Sequence, residues 1–282
     1  MPFYHNIVVA VDGSLESFHA LQEAFKLADS RGLSAVSVAP PYEGDLRLVG
    51  VNQAKSLMRE PCDTALAKAQ ELAAAARQRI TTACVIGNPH EGVVDFAESH
   101  NCDLIVMGTK GQGFLERVLL GTVTRRVIGF TQRDVLVIPP RAAVGWGRIM
   151  LATDGSEHSR PAANRALELA QIYGAELTIL SIVEMPSRLS GNAGAVLAGL
   201  LKEREHLVAG LRAEAETLGI STEAFLSQGY PARTMVAQAQ NAEVHLIVMG
   251  CHGRTGLTRL LMGSVTERVI GLAPCPVLVV KI

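Results

Sequence analysis

Two glycine clusters hold the chemistry this chain is best equipped to do. Leu246-Ile247-Val248-Met249 leads into Gly250, Gly253 and, after nine more residues, Gly263-Ser264. Leu104-Ile105-Val106-Met107 leads in the same way into Gly108, Gly111 and Gly121-Thr122. Glycine lets a chain turn sharply and bring its backbone close to a ligand. Ser264 heads Val265-Thr266-Glu267-Arg268-Val269-Ile270, which has helical apolar spacing, and reads as its N-cap; Thr122 and Val123 open the matching helix. A helix N-terminus offers free N–H groups and a positive dipole end to an anion. Two sets of backbone donors around one crevice suit a polyphosphate.

The side chains near these clusters admit two readings each. Asp12 and Asp154 both stand in Asp-Gly-Ser at the end of an apolar run. They could take hydrogen bonds from ribose or adenine, help hold a metal, or merely form an Asx turn or helix cap. Lys110 and His252 occupy one loop position; Lys110 could meet a phosphate or be an ordinary surface charge, and so could Arg254 and Arg259. His245 reads as structural, and Cys251 and Cys275 as small packing residues. Other chemistries fail on motif. There is no G-x-x-x-x-G-K-[ST], no G-x-G-x-x-G after the first strand and no G-x-S-x-G elbow.

The elements that position these residues repeat. Gly250 follows Gly108 by 142 positions, and Asp154 follows Asp12, Gly263 Gly121, Gly229 Gly87, Pro231 Pro89 and Gly174 Gly32 by the same step. Constant spacing predicts two copies of one fold, 1–140 and 148–282, with 141–147 as linker. In the first copy, strands are expected at 6–11, 33–39, 82–86, 103–107 and 134–138. Helices are expected at 15–31, 62–79, 90–100 and 122–130. Short apolar runs alternating with helices argue a parallel α/β sheet with right-handed crossovers. Segments 42–61 and 184–201 are the least alike and read as variable loops near the crevice.

Composition bounds the rest. The 282 residues are 48 % hydrophobic but only 4 % aromatic, so the cores are mostly aliphatic. Lys+Arg 26 against Asp+Glu 27 gives a net charge of −1 without a basic track, which argues against nucleic acid. Five scattered cysteines without C-x-x-C read as reduced thiols of a cytoplasmic protein. No signal peptide and no membrane-length apolar run are visible, so no membrane insertion is expected.

The sequence resembles a tandem universal stress protein. The resemblance rests on Val9-Ala10-Val11-Asp12-Gly13-Ser14, Leu151-Ala152-Thr153-Asp154-Gly155-Ser156 and Asp103-Leu104-Ile105-Val106-Met107-Gly108. It rests too on G-x2-G-x9-G-[ST] in both halves and on Ala273-Pro274-Cys275-Pro276-Val277-Leu278-Val279-Val280. It implies a Rossmann-like, open five-stranded sheet per half, ordered 3-2-1-4-5, and ATP held by members with the glycine pattern. In the second half the implied set is Asp154, Ile182, Met249, Gly250, Gly253, Gly263, Ser264 and Val265, with adenine meeting the backbone near Ile182. In the first it is Asp12, Met107, Gly108, Gly111, Gly121, Thr122 and Val123. The counterpart of Ile182 is Pro40 without a gap, or Val38 with a two-residue gap. Proline has no N–H to donate, so Pro40 would make the first site the weaker.

The function expected is an ATP-binding regulatory module of the stress response. The alternative is a slow ATP hydrolase or phosphotransferase using Mg2+ held by Asp12 or Asp154, and a scaffold with empty sites is the third reading. The apolar runs 134–138 and 276–280 would be exposed edges in isolated units. The resemblance suggests that they pair within the chain, and self-association into a homodimer stays open.

Overall fold

The structure is a computed structural model that describes residues 3–27, 32–41, 51–111, 120–184, 193–251 and 262–281. It divides into two compact units, Pro2–Arg141 and Ala142–Ile282. In the first, β1 (Ile7–Ala10), β2 (Leu33–Ala39), β3 (Thr81–Ile86), β4 (Leu104–Gly108) and β5 (Asp134–Ile138) run parallel in the order β3-β2-β1-β4-β5. The second repeats this with β6 (Arg148–Ala152), β7 (Glu176–Val183), β8 (Thr222–Gln228), β9 (Leu246–Gly250) and β10 (Val277–Val280), ordered β8-β7-β6-β9-β10.

The central strands are apolar on both faces because helices cover both. Ile7, Val8, Val9, Ile105 and Val106 are fully buried, as are Ile149, Met150, Leu151, Ile247 and Val248. Each large aliphatic side chain removed from water contributes about 1.5–3 kcal/mol. In the first unit α1 (Leu15–Ala24) packs on β1 and β4 and touches α2 (Val51–Ala75), which lies on β2 and β3. Helix α3 (Pro89–Ser99) packs on β2 and against α4 (Thr122–Phe130). The second unit has α5 (Arg160–Tyr173) on β6 and β9, α6 (Ala193–Thr217) on β7 and β8, and α7 (Pro231–Asn241) against α8 (Ser264–Leu272).

Two expectations change here. The segments read as variable loops are helical from Val51 and from Ala193 onward. Pro61 lies inside α2, and both it and Leu57, one turn back, face solvent, where water can satisfy the carbonyl that the proline leaves unpaired. Residues 28–31, 42–50 and 185–192, which complete the expected helix 15–31 and those loops, lie outside the described residues.

The second change concerns the repeat. Ile7 pairs with Leu33, but Ile149, 142 positions later, pairs with Leu177, which is 144 after Leu33. The step returns to 142 at the next strand, where Ser34 pairs with Thr81 and Thr178 with Glu223. The second strand is therefore displaced by two residues in one half. Gly174 is not the counterpart of Gly32: it caps α5 with φ 61°, whereas Gly32 enters β2 and its carbonyl accepts from the Ile7 amide at 2.6 Å. Residues assigned to the linker are held by the second unit. Trp146 stacks on Tyr173 at 4.3 Å, and the Gly147 carbonyl accepts from the Glu176 amide at 2.9 Å.

Candidate functional site

Each unit reverses its strand order beside its first strand, between β1 and β4 or β6 and β9, and there the strand ends open into a crevice. The chain leaves β1 and β6 through the two Asp-Gly-Ser turns. Asp12 Oδ1 accepts from the Ser14 amide at 3.0 Å and its hydroxyl at 2.6 Å. Asp154 Oδ1 accepts from the Ser156 amide and hydroxyl at the same distances. Both carboxylates thus hold Asx turns through one oxygen. Gly13 and Gly155 sit at φ 86° and 68°, where side chains are disfavoured. Ser14 then caps α1, its hydroxyl accepting from the Ser17 amide at 3.1 Å. The second unit instead enters a short 3-10 turn, Glu157–Ser159.

The glycine loops are pinned at their bases. The Gly121 amide donates to the Thr109 carbonyl at 2.8 Å and the Gly263 amide to the Cys251 carbonyl at 3.0 Å. One turn into each helix, the Thr124 hydroxyl donates to the Gly108 carbonyl at 3.1 Å and the Thr266 hydroxyl to the Gly250 carbonyl at 3.2 Å. These bonds draw the N-termini of α4 and α8 onto the ends of β4 and β9. The N-cap residues are Gly121 and Gly263, both extended, and neither supplies a side-chain cap. Ser264 is accordingly the first helical residue and not the cap, because the pinned Gly263 already occupies the extended position. Gly111 lies so close to Asp12 that a Cβ there would run into its Oδ2.

The first crevice is a cavity of about 180 Å3. Asp12, Val38, Met107, Gly108, Gly111, Gly121 and Val123 line it, together with Lys110, Val36, Pro89, Val93 and Thr124. Thr122 lies between two lining residues but is not one itself. The second cavity measures about 430 Å3. Asp154, Ile182, Met249, Gly250, Gly263, Ser264 and Val265 line it, with Glu184, Leu200, Arg204, Pro231 and Met235. Gly253, His252, Arg254 and Arg259 lie outside the described residues. Ligand cavities usually fall between about 300 and 1,000 Å3, a range that the second meets and the first does not. Gly92 lets α3 lie so close to β2 that a Cβ would stand 2.9 Å from Val38 Cγ1. The matching position of α7 is Thr234.

The register also settles the counterpart of Ile182. With β7 displaced by two residues, Ile182 matches Val38, and both line their cavities; Pro40 matches Glu184, beyond the strand. The argument that Pro40 weakens the first site therefore falls away.

Sequence reasoning missed Arg204. The residue is 5 % exposed and stands in the stripe Leu200, Arg204, Val208, Leu211, Ala215, of which the last three are also buried. A cation at helical spacing among buried apolar positions was the available signal. Its Nη1 would lie 3.0 Å from a Cβ on Gly155, at the mouth of the Asp154 turn.

The remaining candidates are structural. His245 accepts from the Arg148 amide at 3.1 Å through Nδ1 and packs beside Gly145 and Gly147. Cys62, Cys102, Cys251 and Cys275 are buried. Burial pushes the Cys275 thiol up to about 12 and that of Cys102 to about 11. Burial, with the neighbouring Cys62 thiol, pushes Cys84 to about 11, and burial also raises Cys251. The upward shifts at Cys84, Cys102, Cys251 and Cys275 favour the thiol over the nucleophilic thiolate. Among the described residues no three His, Cys, Asp or Glu side chains converge as a metal site, and no helix is long and apolar enough to cross a membrane.

The sequence model of the universal stress protein family matches residues 3–139 and again 145–281. A universal stress protein of Mycobacterium bovis is 30 % identical over 98 % of this chain and 97 % of its own length. One from Methanocaldococcus jannaschii is 37 % identical over 48 % of this chain and 82 % of its own. The crystal structure of a universal stress protein from Archaeoglobus fulgidus shares the fold with a TM-score of 0.71, covering 99 % of this chain and 97 % of that one at 21 % identity.

Proposed function

The chain belongs to the universal stress protein family, and from that premise we propose that it is an ATP-binding regulatory module of the stress response, with the second crevice as its stronger site. The observation that carries this is the wall of the second cavity. Seven of the eight residues expected around the nucleotide there line one space of about 430 Å3; the eighth, Gly253, is not described. The residues fit the chemistry of the group. Backbone near Ile182 would meet the adenine edge, and the Asp154 turn the ribose. Ser264, Val265 and Thr266 in the first turn of α8, which has no side-chain cap, line the same cavity, and amides at a helix N-terminus suit phosphate oxygens. Mg2+ would accompany the phosphates. The first crevice repeats the arrangement in less space, with Val38, Asp12, Gly111, Gly121 and Val123, and Thr122 contributing through its backbone.

The regulatory reading rests on the kind of donors that the wall presents. Amides and glycines bind anions without moving protons. The second reading, slow metal-dependent hydrolysis or phosphotransfer, draws on the Asp154 carboxylate at the cavity. Titration of the purified chain with magnesium ATP tests the proposal. Saturable binding to at least one site is expected, and no heat or protection at millimolar nucleotide refutes it.

A further inference from the structure

Among the described residues, the cations that line the two cavities come from different places. Helices α2 and α6 match end to end at the 142-residue step, so Arg204 stands where the first half has Cys62. Cys62 is buried against the Cys84 thiol, and its side chain is no cation. The first cavity draws its cation from Lys110 in the glycine loop, at the position of His252 in the second half. In the second cavity the guanidinium arrives from the helix and reaches the opposite feature, the Asp154-Gly155-Ser156 turn.

We infer that Arg204 is a specificity-determining residue of the second crevice: with the ribose at the Asp154 turn and the outer phosphates at the α8 amides, its guanidinium would meet the phosphate bonded to the ribose. The inference rests on the nucleotide reading of that site. Asp154 and Glu184 also line this cavity, and their carboxylates would repel an anion. A guanidinium stays charged at any physiological pH, and its planar fork suits phosphate oxygens. Arg204 lines this cavity from within an otherwise apolar helix stripe. Together with the first-turn amides of α8, Arg204 makes the second cavity favourable to anions at both ends. Among its described lining residues, the first cavity has a cation at the loop end, Lys110.

The test uses the full chain with the first crevice closed by Gly111→Val, whose side chain would run into Asp12. ATP, adenosine and inorganic tripolyphosphate are titrated into this background and into the same background with Arg204→Gln or Arg204→Lys. Urea unfolding checks that each variant is folded. Arg204→Gln is expected to weaken ATP and tripolyphosphate roughly ten- to a hundredfold, and adenosine by no more than about threefold. Arg204→Lys should recover part of the loss. Equal losses for ATP and adenosine would make Arg204 a packing residue, and unchanged ATP affinity in both variants would remove it from the site; either overturns the inference while leaving the nucleotide reading intact. If the background binds neither ATP nor adenosine, the nucleotide reading itself fails. Tripolyphosphate then decides alone: a loss on Arg204→Gln upholds anion selection, and no binding or no loss overturns it.

Discussion

Gly155→Ala tests the geometry of the second turn most severely. Gly155 has φ 68°, and for an L-residue that region costs about 1–2 kcal/mol. The added Cβ would also stand 2.7 Å from Leu207 Cδ2 and 3.0 Å from Arg204 Nη1. Both atoms end flexible side chains, so they can yield, and the low end of the overpacking range, about 1 kcal/mol, applies. The sum is about 2–3 kcal/mol. At roughly 2–4 °C per kcal/mol for a unit of this size, the second unit should melt about 4–12 °C lower. Urea unfolding with a probe in each unit is the assay, since only the transition of the second should move. Gly155→Asn separates the two contributions: asparagine tolerates positive φ but carries the same Cβ, so it should recover most of the backbone share and little of the contact share. Ala and Asn variants both within about 0.5 kcal/mol of the parent would refute the packed, left-handed turn.

Three further outcomes are expected. Gly111→Ala should weaken nucleotide at the first site by about five- to a hundredfold, because its Cβ meets an Asp12 carboxylate tied to Ser14; a titration with two unchanged sites contradicts this. Asp154→Asn keeps an oxygen for the Ser156 amide and hydroxyl, so it should be destabilised far less than Asp154→Ala, which loses about 1.5–3 kcal/mol in denaturant titration. Equal losses would place the value of Asp154 in its charge, and magnesium-dependent ATP turnover abolished in the Asn variant would favour the hydrolase. The last outcome follows from the thiols. Cys275 stays neutral to about pH 12 when folded but ionises near 9.0 when unfolded, so unfolding releases a proton between these values. Its stabilising contribution is complete below pH 9 and declines above it by up to about 1.4 kcal/mol per pH unit. Cys275→Ala should flatten the alkaline loss of stability measured by urea unfolding at pH 8, 9.5 and 10.5, and parallel curves would contradict the burial argument.

Much of this was legible in the sequence because a few local rules agreed. The runs 104–107 and 246–249 are apolar at every position, which only a strand covered on both faces tolerates, and the glycine spacing after each fixed where the chain turns back. The two-residue displacement of β7 was not legible. Leu177 to Val183 and Leu33 to Ala39 are apolar or small throughout, so either register buries the same kind of surface, and only pairing to β6 and β1 distinguishes them. Helix α2 was obscured by Pro61, whose cost depends on whether the carbonyl one turn back meets water, a fact of the fold. Arg204 was visible as a charge in an apolar stripe, but what the stripe faces is decided by long-range packing of α6 on β7 and β8.

The central claim is that adenine nucleotide occupies the crevices at the strand ends, and photolabelling with 8-azido-ATP tests it most directly. Label that ATP competes away should fall on peptides containing Asp154 or the Ile182–Glu184 strand end, with weaker labelling around Asp12 and Val38. Label confined to peptides that line neither cavity, or label that ATP does not displace, would contradict the account.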